Sequence, residues 1–506
     1  MNKTNTSLAH NKPQHSWREA FSVYLKSRVI VMFFLGFSAG LPLFLIFSTL
    51  SIWLREAGVD RSAVTYFSWA ALAYSFKFIW APVIEKFPLP FLHNLLGRRR
   101  SWLLVAQLVV ILAIIWMAMI DPAQGLGGMV VAVILLGFSS ASQDIVIDAY
   151  RIEAMKKEYQ AAMSAMYIAG YRIGMLLSGA GGLYLASYFG ADNEYNYVAW
   201  QTTYLSMAGI MLVGVVTTLL IKEPEINKNS ESYLHSLSDY VRFFIMFIVM
   251  VGAFIYGFQL FNFELSNGFI NESLRLVVSL LFSLTGIYVL IFLNIVNREM
   301  AYSTYVEPVA DFFKRYGKVA ILLLLLVGLY RISDIVLGVI ANVFYHDLGF
   351  SKNEIATTTK VFGIVMTLVG GFLGGLMTMR YGVMRILLLG AILSALTNLL
   401  FMLLAHSGHD IVLLSGVIAV DNLSAGLASA AFIAYLSGLT NISFTAVQYA
   451  ILSSLMTLLP KLLGGYSGSM VNEMGYSSFF LMTAFLGLPV IFLIYYLMFK
   501  KPDVFK

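Results

Sequence analysis

The chain contains no cysteine in 506 residues, which excludes disulfides, thiolate metal sites and a cysteine nucleophile. Charged residues are scarce at 12%, about half the share of a soluble domain. The seven histidines (His10, His15, His93, His235, His346, His406 and His409) fall in termini or loops, so no membrane-embedded imidazole base is available. There is no His-Glu-x-x-His pair and no phosphate-binding glycine loop ending in Lys-Ser/Thr. A metal hydrolase and an ATP-driven pump are therefore disfavoured. No cofactor is expected, and any work the chain does must draw on a gradient. The net charge of +6 is no argument for nucleic acid, because the basic residues sit between apolar runs.

What is abundant is apolar sequence, at 59% of residues with a mean hydropathy of +0.80. The runs are continuous, which points to an all-α polytopic membrane protein and away from a β-barrel. Fourteen spans are expected: 28–54, 62–84, 101–120, 127–150, 161–189, 199–221, 239–261, 275–296, 318–345, 354–379, 384–404, 409–438, 443–470 and 476–499. The first run is too long for a signal-peptide core and should remain as a membrane helix. One set of loops and tails holds 24 Lys and Arg residues against 4 on the opposite set, which places both termini in the cytoplasm.

Two long polar loops, 222–238 and 297–317, bracket spans seven and eight. The chain then divides into an N-terminal tail (1–27), a six-helix bundle (28–221), linkers with an inserted hairpin (222–317), a second six-helix bundle (318–499) and a tail (500–506). This is the layout of a major-facilitator-type transporter with a two-helix insertion; a different fourteen-helix carrier is the alternative. Charges repeat between the bundles. Lys77 answers to Lys360, Asp144 and Asp148 to Asp421, and Arg172 to Lys461. Loop residues Glu85 and Arg98, Arg99 and Arg100 of the first half correspond to Arg380 and Arg385 of the second, and are candidates for a gating loop.

The polar centre is Ser139-Ser140-Ala141-Ser142-Gln143-Asp144-Ile145-Val146-Ile147-Asp148-Ala149-Tyr150-Arg151. Asp144 and Asp148 share one helix face, about 6 Å apart along the axis. An intramembrane carboxylate costs several kcal/mol unless paired, hydrated or protonated, so both are candidates for proton coupling. An Asp144–Lys77 pair is read either as a structural bridge or as a contact that protonation weakens. Arg331 and Asp334 are spaced to pair with each other, or Arg331 meets an anionic substrate. Five intramembrane cations (Lys77, Arg172, Arg331, Lys360 and Lys461) face four acids (Asp144, Asp148, Asp334 and Asp421), which suits an anionic polar solute. Gln143 and Gln448 are further candidates for substrate hydrogen bonds. Gly36-x-x-x-Gly40 and Gly170-x-x-x-Gly174 read as close helix packing. Gly465-Tyr466-Ser467-Gly468 superficially matches a serine-hydrolase motif, but lacks its base.

Phe76-Lys77-Phe78-Ile79-Trp80-Ala81-Pro82, Gly97-Arg98-Arg99-Arg100-Ser101-Trp102, the stretch from Ser140 to Ala149, Gly170-Tyr171-Arg172-Ile173-Gly174-Met175, Leu329-Tyr330-Arg331 and Phe444-Thr445-Ala446-Val447-Gln448-Tyr449 together resemble the AmpG family of muropeptide permeases, a branch of the major facilitator superfamily. The sequence departs from that family with Asp421 where glutamate is expected and Lys461 where arginine is expected. The resemblance implies a bacterial inner-membrane importer of anhydro-muropeptides driven by protons; a monomer among membrane lipids is expected. Another large anionic solute, such as an acyl-CoA, siderophore or peptide, is the alternative within transport. A scramblase or scaffold is the alternative outside it, and nine buried charges disfavour a scaffold.

Overall fold

The computed structural model describes residues 16–59, 67, 72–190, 195–225, 237–261, 263, 268–296, 298–464 and 466–500. The tails at 1–15 and 501–506, residues 62–66 and 68–71 of the second expected span, Gly465 and the Lys360 side chain lie outside the described residues. Every regular element among the described residues is helical. Among the described residues, eleven helices are long and apolar enough to cross a membrane.

The first half comprises α1 (Ser27–Glu56), α2 (72–86), α3 (Arg98–Ala118), α4 (Gly127–Ala154), α5 (160–188) and α6 (Tyr197–Leu220). The hairpin is α7 (Leu237–Leu260) and α8 (Gly268–Phe292), followed by a broken polar helix, α9 (298–316). The second half comprises α10 (Val319–Asp347), α11 (352–381), α12 (Val383–Ser407), α13 (Ile411–Leu439), α14 (Thr445–Gly464) and α15 (467–500). Among the expected spans, α5 is interrupted by a π segment at Leu177–Gly181, and the apolar part of α8 narrows to Val277–Phe292.

Small residues set the closest approaches. In a membrane no hydrophobic force drives one helix onto another, so packing depends on how near the backbones come. Gly36, Gly40, Gly170 and Gly174 bring α1 and α5 backbone to backbone; a Cβ on Gly170 would lie 1.8 Å from the Phe33 carbonyl oxygen. In the second half the tight pair is α11 with α13, where a Cβ on Gly370 would lie 2.0 Å from the Leu423 carbonyl oxygen. The glycine motifs thus rigidify different helix pairs in the two halves.

Apolar clusters fill each half, and the largest crosses between them. It gathers Ile79, Ile84 and Phe87 of the first half, Met246, Met250 and Phe254 of the hairpin, and Ala446 and Ala450 of α14. Phe76 meets Phe254 at 5.3 Å, and Phe87 meets Phe244 at 5.1 Å. The hairpin therefore covers the α2–α14 seam.

Candidate functional site

Three helices lose regular α geometry where their cations lie, and a fourth does so just beyond its cation. α2 tightens into a 3-10 turn at Lys77–Ile79, and α10 breaks at Tyr330 and Arg331. The π segment Ala356–Phe362 carries Lys360, and that at Leu177–Gly181 begins five residues after Arg172. Irregular backbone at membrane depth is tolerated where it lines a cavity or is buried in protein, and π-bulges concentrate at functional positions. Sequence periodicity missed these breaks because the surrounding residues remain good helix formers.

Asp144 and Asp148 share one face of α4, but their partners differ from expectation. Lys77 Nζ lies 3.5 Å from Asp148, not paired to Asp144. Arg151 also turns to Asp148, at 3.3 Å. Both cations are thereby taken by one carboxylate. Asp144 accepts a 3.3 Å hydrogen bond from the Tyr167 hydroxyl on α5. Lys77 and Asp148 act on it only through space. The expected Asp144–Lys77 pair gives way because Lys77 sits on the tightened turn, level with Asp148. Gln143 donates to Ser38 on α1 at 3.1 Å, an interhelical bond away from the Asp144 face.

The second half repeats this arrangement with other residues. Arg331 Nε lies 3.4 Å from Asp334, and its guanidinium also donates to Ser429 on α13. Ser394 on α12 donates to Asp334. Asp421 accepts from the Thr397 hydroxyl at 3.0 Å. Arg172 is partly buried and forms no hydrogen bond or ion pair among the described residues; Arg331 of the second half is near enough for the two charges to act on each other. Lys461 lies closer to the opposite end, 3.4 Å from Ser75 of the first half.

At the basic-loop end the halves are joined. Arg151 is fully buried, donates to Ser437 at 2.7 Å and stacks over Tyr449 at 5.1 Å. Lys157 donates to the Gly438 carbonyl at 3.3 Å, and Tyr24 to the Phe372 carbonyl at 3.2 Å. Glu85, also buried, accepts from the Ala446 backbone N–H at the start of α14. The same Glu85 holds Arg98 at 3.1 Å and Arg99 at 2.9 Å, and both guanidiniums reach Glu153 as well. Glu223 accepts from the backbone N–H groups of Arg99 and Arg100 at 2.7 and 3.1 Å, satisfying orphan donors at the start of α3. Gly97, at φ +87°, admits that carboxylate, since a Cβ there would lie 2.5 Å from the Glu223 side chain. Arg100 is spent on the Thr218 and Leu219 carbonyls. Glu153 and Glu223 escaped the sequence reading, although acids at the ends of α4 and α6 beside three consecutive arginines were the available signal.

The corresponding loop of the second half carries Arg380 and Arg385. Arg380 lies over Tyr381 at 5.6 Å, and Arg385 is exposed. Gln448 also departs from the substrate-site expectation. It accepts from Arg315 at 2.9 Å and from the Asn441 N–H at 2.8 Å, and donates to the Pro308 carbonyl and to Asp311. Its amide is consumed in pinning α9 to the start of α14.

Two helical halves, a charged seam between them and a latch at one end define a membrane carrier. The Major Facilitator Superfamily model matches residues 32–306. A Rickettsia conorii protein bearing the transporter name AmpG 4 is 33% identical over 94% of this chain and 97% of its own length. The anhydromuropeptide permease of Escherichia coli K12 is 28% identical over 93% of this chain and 80% of its own. The solved proton:xylose symporter XylE, bound to 6-bromo-6-deoxy-D-glucose, is 13% identical and superposes with a TM-score of 0.57, covering 96% of each chain. At that identity the likeness speaks for fold alone. The chain belongs to the AmpG transporters of the Major Facilitator Superfamily, a family of carriers and not of enzymes.

Proposed function

We propose that the protein imports anhydro-muropeptides across the bacterial inner membrane by proton-coupled alternating access. The observation that carries this reading is that Arg172 and Arg331, one from each half, lie within electrostatic reach of each other, with Arg172 uncommitted among the described residues. A guanidinium presents a fork suited to carboxylates, and the peptide stem of a muropeptide supplies them. Support for the solute comes from the printed name of the Escherichia coli relative and from no direct contact. Lys77, Asp334, Asp421 and Lys461 surround the same seam in this reading, Lys360 stays a candidate from its sequence position, and Asp144 is the leading proton-coupling group.

The full topology proposed is fourteen spans with both termini cytoplasmic, following the 24-to-4 loop bias. The joined end is then the cytoplasmic end, and the described conformation is latched against the cytoplasm. A monomer suffices, because each half finds its partner within the chain. Protonating Asp144 removes a buried charge that has only a hydroxyl partner, and binding an anion between the arginines draws the halves together.

Binding of a labelled anhydro-muropeptide to purified protein tests the solute assignment. Arg172→Gln and Arg331→Gln are each expected to weaken binding roughly tenfold or more, the worth of a charge-assisted bond of about 1.5–3 kcal/mol. Equal affinity in folded wild type and both variants removes the arginines from the site. Tight binding of an acyl-CoA, with none of the muropeptide, moves the reading to another anionic solute.

A further inference from the structure

We propose that Asp421 is a second proton-carrying carboxylate, set nearer the outer face than Asp144, so that each half holds one titrating acid. This rests on the proton-coupled import proposed above for its direction, but not for its existence.

The inference begins with the way each half shares out its charges. In the first half Asp148 takes Lys77 and Arg151, and Asp144 is left with the Tyr167 hydroxyl. In the second, Asp334 takes Arg331 and a hydrogen bond from Ser394, and Asp421 is left with the Thr397 hydroxyl. The second half is the more one-sided. One described guanidinium serves two carboxylates, and Asp334 and Arg331 act on Asp421 only through space. Two carboxylates with one cation between them favour holding one proton, and among the described residues Asp421 is the acid without an ion pair, the one placed to keep it.

Every element packed around Asp421 contributes to its setting. α10 presents Arg331, Asp334 and the Tyr345 hydroxyl, and α12 presents Thr397. On α11, Thr367 is occupied by Asn422, and Lys360 has its side chain outside the described residues. A hydroxyl is a suitable partner because it can donate to the carboxylate and accept from the carboxylic acid, so the site tolerates both protonation states.

Depth separates the two acids. α4 and α13 both run from the outer face to the basic-loop face in the proposed topology. Asp421 lies ten residues past Ile411, roughly 15 Å in from the outer end of its helix. Asp144 lies ten residues before Ala154, roughly 15 Å from the cytoplasmic end of its own. With the halves joined at the cytoplasmic end, Asp421 is placed to exchange protons with the outer face, and Asp144 is the deeper group that delivers them inward.

Infrared difference spectroscopy of the purified full-length protein between about pH 6 and about pH 9, a window in which ordinary Asp and Glu side chains stay ionised, reads this without any solute. Wild type is expected to show two protonated-carboxyl bands. Asp421→Asn and Asp144→Asn should each lose a different one, and the double variant both. Thr397→Val, which deletes no carboxyl, should shift the frequency of the Asp421 band and leave the other in place. A wild-type spectrum that Asp421→Asn leaves unchanged overturns the proposal, as does a Thr397→Val spectrum with no shifted band. Because no muropeptide is present, failure of the import reading would leave this outcome untouched.

Discussion

Glu85 offers the sharpest perturbation of the cytoplasmic latch. Its carboxylate serves two kinds of partner. Arg98 and Arg99 belong to the same half and stay with it in any rigid-body rocking, whereas the Ala446 N–H belongs to α14 and is lost when the halves part. In Glu85→Gln a neutral amide oxygen must choose between Arg99 and Ala446. The latched state then loses a charge-assisted bond to a helix N-terminus, about 1–2 kcal/mol, whereas the unlatched state loses nothing at that contact. The latched-to-open ratio should fall by about 5- to 30-fold. Glu153 continues to accept from both arginines, so the fold should survive. The absence of native cysteine allows spin labels at Lys156→Cys and Ile442→Cys, two exposed positions on opposite sides of the seam. Pulsed dipolar spectroscopy should show a longer-distance population that grows in Glu85→Gln. An unchanged distance distribution in a folded variant would refute the latch.

The α1–α5 contact should tolerate no side chain. Gly170→Ala drives a Cβ into backbone atoms that cannot rotate away, so it should cost about 1–3 kcal/mol or more and lower the thermal midpoint. Gly209→Ala, where a Cβ meets nothing within 4 Å, should leave stability within about 0.5 kcal/mol. In the first turn of α11, ahead of its apolar stretch 357–381, Glu354 accepts from the Ser351 backbone and hydroxyl and contacts His409 at 3.1 Å. The Ser351 bonds, backbone first, and then His409 hold its carboxyl down at about 2. A depressed carboxyl stabilises this turn above its ordinary value of 4.5 and loses that contribution as pH falls from there through about 2. Protection factors across 350–356, each referred to the intrinsic amide exchange rate at that pH, should fall over that window as pH is lowered in wild type, and Glu354→Gln should show the low value at every pH.

Much of the architecture is legible in the sequence because bilayer thickness and apolar run length answer to each other directly. The charged seam is legible for a related reason: Asp144, Asp148, Arg172 and Arg331 stand out against apolar surroundings. Pairing is harder, because partner choice depends on the azimuth and local winding of two helices at once. Lys77 illustrates this, since a three-residue change of helix type moves its ammonium from one aspartate to the next. Gln448 illustrates a second limit. It reads as a polar residue inside an apolar run, yet Asp311 and Arg315, far away in sequence, claim it. The opposite assignment of glycine contacts in the two halves, α1–α5 against α11–α13, is likewise invisible until the helices are packed.

Uptake of labelled anhydro-muropeptide into orientation-checked proteoliposomes, with an imposed pH gradient and no other energy source, addresses the central claim directly. Accumulation above the external concentration is expected when the outer side is acidic. It should collapse with a protonophore and be lost in Asp144→Asn. Uptake by wild type that ignores both the gradient and the protonophore would contradict proton-coupled import.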